Sequence, residues 1–300
     1  MSIKFIQRGW LNGNSVIYDS DKLVIFDTGY YSCRKETVEL LKQEGYDIVD
    51  FDLIVNTHCH SDHVGANAEI INSSDAKIAM HEYEAYYVNR GDKRATWIDY
   101  FDYEVPEYKV DIILKNGDQL NFGNIEMEVI HTPGHSIGGI SLYDQSNKVL
   151  ISGDVLHEND FGIINARVEG SSAIFLLKES LERLRKLDVD VIYPGHGKPI
   201  YDAETNFNNC LSRINEFIKD PFKIAYHMLS RIVIFHILRK GRIEKNEYIN
   251  YLKNCIWFIE MNDLYLKTDP DILIENEIEK QKEKGIIDIS DGFITANIEC

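Results

Sequence analysis

The stretch THCHSDHVG, residues 57–65, places His58, His60, Asp62 and His63 within six positions. Imidazole and carboxylate are the common donors to a divalent ion such as zinc, so the run is a candidate metal site. Histidine is scarce in the chain, at 10 in 300 residues. The preceding segment, FDLIVNT at 51–57, reads as a buried strand. Side chains alternate along an extended chain, so His58 and His60 are expected on one side and Cys59 on the other. Asp62 and His63 are expected to open the following helix, where small Gly65, Ala66 and Ala68 permit close packing. The change of backbone direction then lets them serve a second ion.

Further donors follow in three glycine-containing contexts: His135 in HTPGHS, Asp154 in ISGDV and His196 in YPGHG. Glycine lets the backbone turn sharply at a strand end, so each side chain projects toward a shared cavity. Each context alone is weak; seven donors in this chain order are a joint signal.

This order, His-x-His-x-Asp-His and then a later His, Asp and His, resembles the metallo-β-lactamase superfamily. The early acidic turn, Asp27 in VIFDTG, is similar as well, and the resemblance covers roughly residues 5–215. It implies an α/β fold, a four-layer αβ/βα sandwich with the metals at one edge. It further implies that His58, His60 and His135 hold one metal, that Asp62, His63 and His196 hold a second, and that Asp154 bridges them. Two zinc ions are the expected cofactors, with iron or manganese as alternatives. The expected chemistry is attack on a carbonyl by a metal-bridging hydroxide, with Asp62 orienting the nucleophile and receiving its proton. The carboxylate at Asp154 makes the site look like the glyoxalase II-type thioesterases and the lactonases of that superfamily. An ester, thioester or lactone is therefore the expected substrate, a small molecule. Phosphodiester hydrolysis, as in the superfamily's endoribonucleases, and iron-dependent redox chemistry, as in its persulfide dioxygenases, are the alternatives.

The net charge of −17 lies mostly before residue 211, where the balance is −15. Such a surface repels polyanions, so no nucleic-acid partner is expected. Five scattered cysteines (Cys33, Cys59, Cys210, Cys255, Cys300) form no close pairs. They suggest a reducing, cytoplasmic setting. No apolar run approaches the ~20 residues that span a bilayer, so no membrane partner is expected.

Two domains are expected, residues 1–219 and 220–300. In the first, SAIFLLKESLERLRKL (172–187) is an amphipathic helix with Ile174, Leu177, Leu181 and Leu184 on one face and Ser171 or Ser172 as its cap. Residues 81–108 form an aromatic insertion bearing Tyr83, Tyr86, Tyr87, Trp97, Tyr100, Phe101, Tyr103 and Tyr108. It reads as a lid or wall over the site or as packing, including a homodimer contact. His157, Asn159 and Phe161 are candidate pocket residues, with His157 as readily a surface residue. His81, His131, His227 and His236 read as structural. Lys178 and Arg167 are candidate partners for a substrate carboxylate. In the second domain, three helical patterns and a hairpin turning at Asp291-Gly292 resemble a winged helix. Its third helix, 269–284, sets six acidic residues against three lysines, which suits a structural or pocket module better than a nucleic-acid reader.

Overall fold

The computed structural model describes residues 1–300 apart from Met1, Leu11, Ala95, Asp102, Tyr103, Glu299 and Cys300, so the expectations for Tyr103 and Cys300 fall outside it. The first sheet runs in the order β1 (Ser2–Ile6), β2 (Ser15–Asp19), β3 (Leu23–Phe26), β4 (Leu53–Val55), β5 (Lys77–His81) and β6 (Ile112–Leu114). The second runs β11 (Val191–Pro194), β10 (Val149–Gly153), β9 (Ile140–Asp144), β8 (Ile125–His131) and β7 (Gln119–Phe122).

Alternation along these strands builds the layers. Val16, Tyr18, Val24, Phe26 and Val55 face inward and meet Met127, Val129, Leu142 and Ile151 of the second sheet. Their neighbours Ile17, Ile25 and Ile54 face outward and pack with Leu41 of α1 (Arg34–Gln43) and Ile70 of α2 (Asn67–Ser73). On the opposite outer face, Leu150 and Ile192 pack with α5 (Ala173–Leu184) and α6 (Ala203–Lys219). Ile174, Leu177, Leu181 and Leu184 of α5 are all buried, at about 1.5–3 kcal/mol per side chain. The result is the α/β four-layer sandwich. Ser172 occupies the N-cap position of α5, but its side chain makes no capping hydrogen bond. Asp202 does cap α6, accepting from Thr205 N at 3.1 Å.

Between β5 and β6 of the first sheet lie α3 (Glu82–Val88) and α4 (Ile98–Phe101). Beyond residue 220 come α7 (Phe222–Lys240), β12 (Arg242–Glu244), α8 (Lys245–Asn254), α9 (Ile256–Met261), α10 (Pro270–Glu283), β13 (Ile287–Ser290) and β14 (Phe293–Ala296). The strands form a separate sheet, ordered β12-β14-β13. Asp291 and Gly292 both have positive φ, as a tight two-residue hairpin turn requires. The segment EYINYLKNCIWFIE splits into α8 and α9, because extended Cys255 (ψ 131°) redirects the chain so that Trp257 and Phe258 bury. These elements share a core with Trp97, Tyr100 and Phe101 of the aromatic insertion. Among the described residues, no helix is long and apolar enough to cross a membrane.

Candidate metal centre

Strand polarity brings the donors to one edge. Strands β8 and β10 are both antiparallel to β9, and β10 is parallel to β11. All three therefore end on the same side, and His135, Asp154 and His196 follow those ends. In the first sheet β3 and β4 are parallel, so Asp27 and the 58–63 loop also emerge together. The sheets are tied across the gap by Ile140 N donating to Thr57 O at 2.9 Å. Gly195 has to be glycine, because a Cβ there would stand 2.1 Å from Asp154 Oδ1.

One correction concerns the 57–65 loop. Asp62 and His63 sit in a turn, and α2 starts only at Asn67. Tertiary hydrogen bonds compete with the helix here. His63 O accepts from Thr28 N at 2.8 Å, and Gly65 N donates to Gly29 O at 2.7 Å. Thr57 and His58 likewise lie in a bend after β4, yet the rings of His58 and His60 still converge, with centroids 4.5 Å apart.

All seven expected donors meet. Three overlapping groups have donor atoms within 4.8 Å of one another: His58, His60 and His135; His58, His63 and Asp154; and Asp62, His63 and His196. His60 Nδ1 lies 2.9 Å from His135 Nε2, and His196 Nε2 lies 3.1 Å from Asp62 Oδ2. Asp154 stands between the sets, with Oδ1 3.3 Å from His63 Nε2 and Oδ2 3.6 Å from both His135 and His196 Nε2.

The donor chemistry fits cations. Nε2 of His58, His60, His63 and His157 and Oδ1 of Asp154 are all buried with no hydrogen-bond partner. An unsatisfied buried polar group costs about 1–3 kcal/mol, so the atoms gathered around Asp154 Oδ1, among them Nε2 of His63 and His157, call for positive charge among them. Burial, reinforced by the neighbouring histidines, pushes His58 and His60 well below the usual imidazole range and keeps their lone pairs free. Burial also lowers His135. Burial alone would raise the two carboxylates. His63 and His196 outweigh it, holding Asp62 at about 2, and with His157 they hold Asp154 well below the carboxylate range. Against their own burial, His63 and His196 are raised by Asp154 and Asp62.

Three supporting groups surround the donors: Asp27 of the early acidic turn, Trp97 of the aromatic insertion with its partner Glu169, and Glu84, which no sequence feature marked. Asp27 accepts from Thr57 N at 2.8 Å, Thr57 Oγ1 at 2.7 Å and His63 Nδ1 at 2.8 Å. With Nδ1–H donated to Asp27, His63 presents Nε2 to the centre. Thr57 Oγ1 is also 3.1 Å from His58 Nδ1 and accepts from it, since its own hydrogen goes to Asp27. Buried Glu84 of α3 accepts from Cys59 N at 3.1 Å, from Gly138 N at 2.8 Å and from Ser136 Oγ. One carboxylate thus joins the loop of His58 and His60 to the loop of His135. Trp97 lies over His60, with centroids 3.9 Å apart, and donates Nε1–H to Glu169 at 3.0 Å. Burial, followed by the nearby Glu84, pushes Glu169 up to about 8.

His157 lies at the centre, its Nε2 3.2 Å from Asp154 Oδ1. Phe161 does not line the cavity but is fully buried in the core under α5 and α6, and Asn159 instead binds Asn206 and Asn209 of α6. Lys178 pairs with Glu182 along α5, away from the donors; Arg231 of α7 lines the cavity instead, bound to Asp160. Cys59 points into the core behind the first sheet. His81 stacks on His131, His227 bonds Asp160, and His236 is buried beside Tyr251. Of the aromatic insertion, Trp97 and Phe101 form part of the cavity wall, whereas Tyr83 and Tyr86 are exposed.

The donors open into a cavity of about 310 Å³ with apolar walls from Trp10, Trp97, Phe101, Ile163, Ile232 and Phe235. The last two come from α7, so the C-terminal segment completes the site. The family model described as the metallo-beta-lactamase superfamily matches residues 8–196. A probable metallo-hydrolase of Methanocaldococcus jannaschii is 28% identical over 191 residues, 62% of this chain and 88% of that protein. Human acyl-coenzyme A thioesterase MBLAC2 is 29% identical over 161 residues, 48% of this chain and 55% of that protein. The solved structure of a metallo-beta-lactamase family protein from Thermus thermophilus is similar in fold, with a TM-score of 0.60 at 18% identity, over 99% of this chain and 98% of that one. The family model spans the strands and loops that carry all seven donors, and the sandwich is the one those donors imply: the chain belongs to the metallo-beta-lactamase superfamily.

Proposed function

We propose that this metallohydrolase cleaves a small ester, thioester or lactone with an apolar acyl group. The observation that carries the reading is the convergence of unpartnered buried imidazole and carboxylate atoms at the mouth of an aromatic-walled cavity. His58, His60 and His135 would hold one zinc ion and Asp62, His63 and His196 a second, with Asp154 shared. When bound, such ions supply a water ionised near neutral pH and polarise the scissile carbonyl oxygen.

The chain's own residues do the rest. Asp62, held ionised and steadied through Oδ2 by His196, orients the attacking water and is the first stop for its proton. Asp27 fixes the ring of His63, and through Thr57 that of His58. Trp97, Phe101, Ile163, Ile232 and Phe235 take the acyl group and keep bulk water from it. In this reading residues 220–300 form a winged-helix-like module that walls the pocket. Acidic α10 gives it no face for nucleic acid. The thioesterase among the relatives supports the acyl-transfer class.

The test is a panel of an aryl ester, an acyl thioester, a lactone and bis-p-nitrophenyl phosphate, assayed with zinc, iron and manganese. Ester or thioester turnover abolished by His60→Ala and Asp62→Ala supports the reading. Turnover of the phosphodiester alone, or oxygen consumption with a persulfide while every ester stays intact, refutes it.

A further inference from the structure

Residue His157 belongs to no donor set named so far, yet its Nε2 lies as close to Asp154 Oδ1, at 3.2 Å, as that of the donor His63 at 3.3 Å. It lies three residues beyond Asp154, in the turn leaving β10. Its backbone is fixed independently of its side chain. His157 N donates to Asp160 O at 2.8 Å, and its carbonyl accepts from Asn206 Nδ2 of α6 at 2.9 Å. The ring is thereby presented to the cavity, where it faces His196 with centroids 5.4 Å apart.

The local geometry around Asp154 Oδ1 is specific. His63 Nε2 lies 3.3 Å from it and His157 Nε2 3.2 Å from it. All three atoms are buried, and none has a hydrogen-bond partner. Donors about 2.0–2.2 Å from one ion at angles of about 90–110° stand about 3–3.5 Å apart, so each of these two spacings to Oδ1 is compatible with a pair of atoms sharing an ion. An ion at this place takes over the role that a proton on His63 Nε2 plays in the ion-free centre, where Asp154 holds His63 raised against its burial. The Nδ1–H of His63 is already given to Asp27.

We propose that His157 Nε2 is an eighth donor of this centre, ligating the ion held by Asp62, His63 and His196. The inference rests on the two-ion reading above. It gives that ion one more neutral ligand than the seven-donor set, raising its coordination number and lessening its demand on solvent.

The experiment uses the full chain and zinc alone as the probe. Zinc is titrated in competition with a chromophoric chelator for wild type, His157→Ala and His157→Gln, and histidine ¹⁵N spectra of wild type are recorded before and after zinc. Wild type should bind two ions, and zinc should shift the His157 ring nitrogens. One of the two affinities should fall by more than about 100-fold in both variants, beyond the about 10–100-fold typical of an outer-shell partner. Unchanged unfolding midpoints of the zinc-free variants would confirm intact folds. Glutamine can still hydrogen-bond Asp154 but is a poor zinc ligand. Wild-type affinity in His157→Gln, or an unshifted His157 ring in zinc-loaded wild type, overturns the proposal. Failure of wild type to bind zinc at all would instead overturn the metal reading, and this inference with it.

Discussion

Replacing Asp27 by asparagine exchanges one carboxylate oxygen for an NH2 group and tests how the centre is organised. Asp27 is only 3% exposed and receives three hydrogen bonds, two of them at Oδ2 from Thr57 Oγ1 and His63 Nδ1. An amide has one acceptor oxygen. If that oxygen faces Thr57 N, the NH2 opposes the N–H of His63; if it faces His63, the NH2 opposes the N–H of Thr57. Either orientation loses at least one bond to a charged acceptor, about 1.5–3 kcal/mol. His63 escapes by moving its hydrogen to Nε2, which removes its lone pair from the centre. Loss of a partner that orients a ligand costs about 10–100-fold in metal affinity, or about 1.4–2.7 kcal/mol. Asp27→Asn should therefore lower the thermal midpoint of the zinc-free protein and weaken the ion held by Asp62, His63 and His196. Chelator competition with zinc measures the second effect and differential scanning calorimetry the first. If both zinc affinities and the midpoint match wild type, the proposed chain of donors from His63 and Thr57 to Asp27 is wrong.

Three further outcomes follow from the same structure. Glu84→Gln should weaken the ion at His58, His60 and His135 by about 10–100-fold in a chelator titration, since its NH2 would oppose the donors Cys59 N or Gly138 N and Ser136 Oγ. Burial, with Arg231 adding for His227 and Arg239 for His236, holds both histidines of α7 at about 3. Below about pH 6.5 the unfolded chain takes up protons that the folded chain refuses, so stability falls as pH drops, by about 2–3 kcal/mol per histidine at pH 4.5. Denaturant unfolding of His236→Phe should show a flatter acid dependence than wild type. Cys59→Ala should keep most of the hydrolytic activity and lose about 1 kcal/mol of stability, because its side chain packs in the core behind the first sheet, away from the donors.

The candidate donors and several buried elements could be read from the sequence because they are locally encoded, whereas the sandwich itself followed from the resemblance those donors carry. Apolar runs rich in Val and Ile, such as LVIF and FDLIVNT, mark the buried strands, and α5 shows its buried face at Ile174, Leu177, Leu181 and Leu184. The donors stand in short windows at strand ends, so topology had only to bring the windows together. What escaped depends on contacts distant in sequence. Glu84 binds residues 25 to 54 positions away, and nothing in HEYE distinguishes it from a surface glutamate. The helix expected at Asp62 gave way to backbone bonds with Thr28 and Gly29, more than 30 residues earlier. Arg231 and Phe235 reach the cavity only because α7 packs across it, and the helical pattern of 224–240 is apolar on nearly every side. Phe161 has the right spacing from Asp154 to line the pocket, but the turn at Asn159, with positive φ, sends it into the core.

The most direct test of the account is the metal content of the folded chain, determined by elemental analysis alongside thioester hydrolysis as zinc is added back to chelator-treated protein. The account predicts two zinc ions per chain, with activity appearing as both are restored, and loss of at least one ion in Asp154→Ala. Full activity at one ion per chain or fewer, or undiminished binding of two ions by Asp154→Ala, would contradict it.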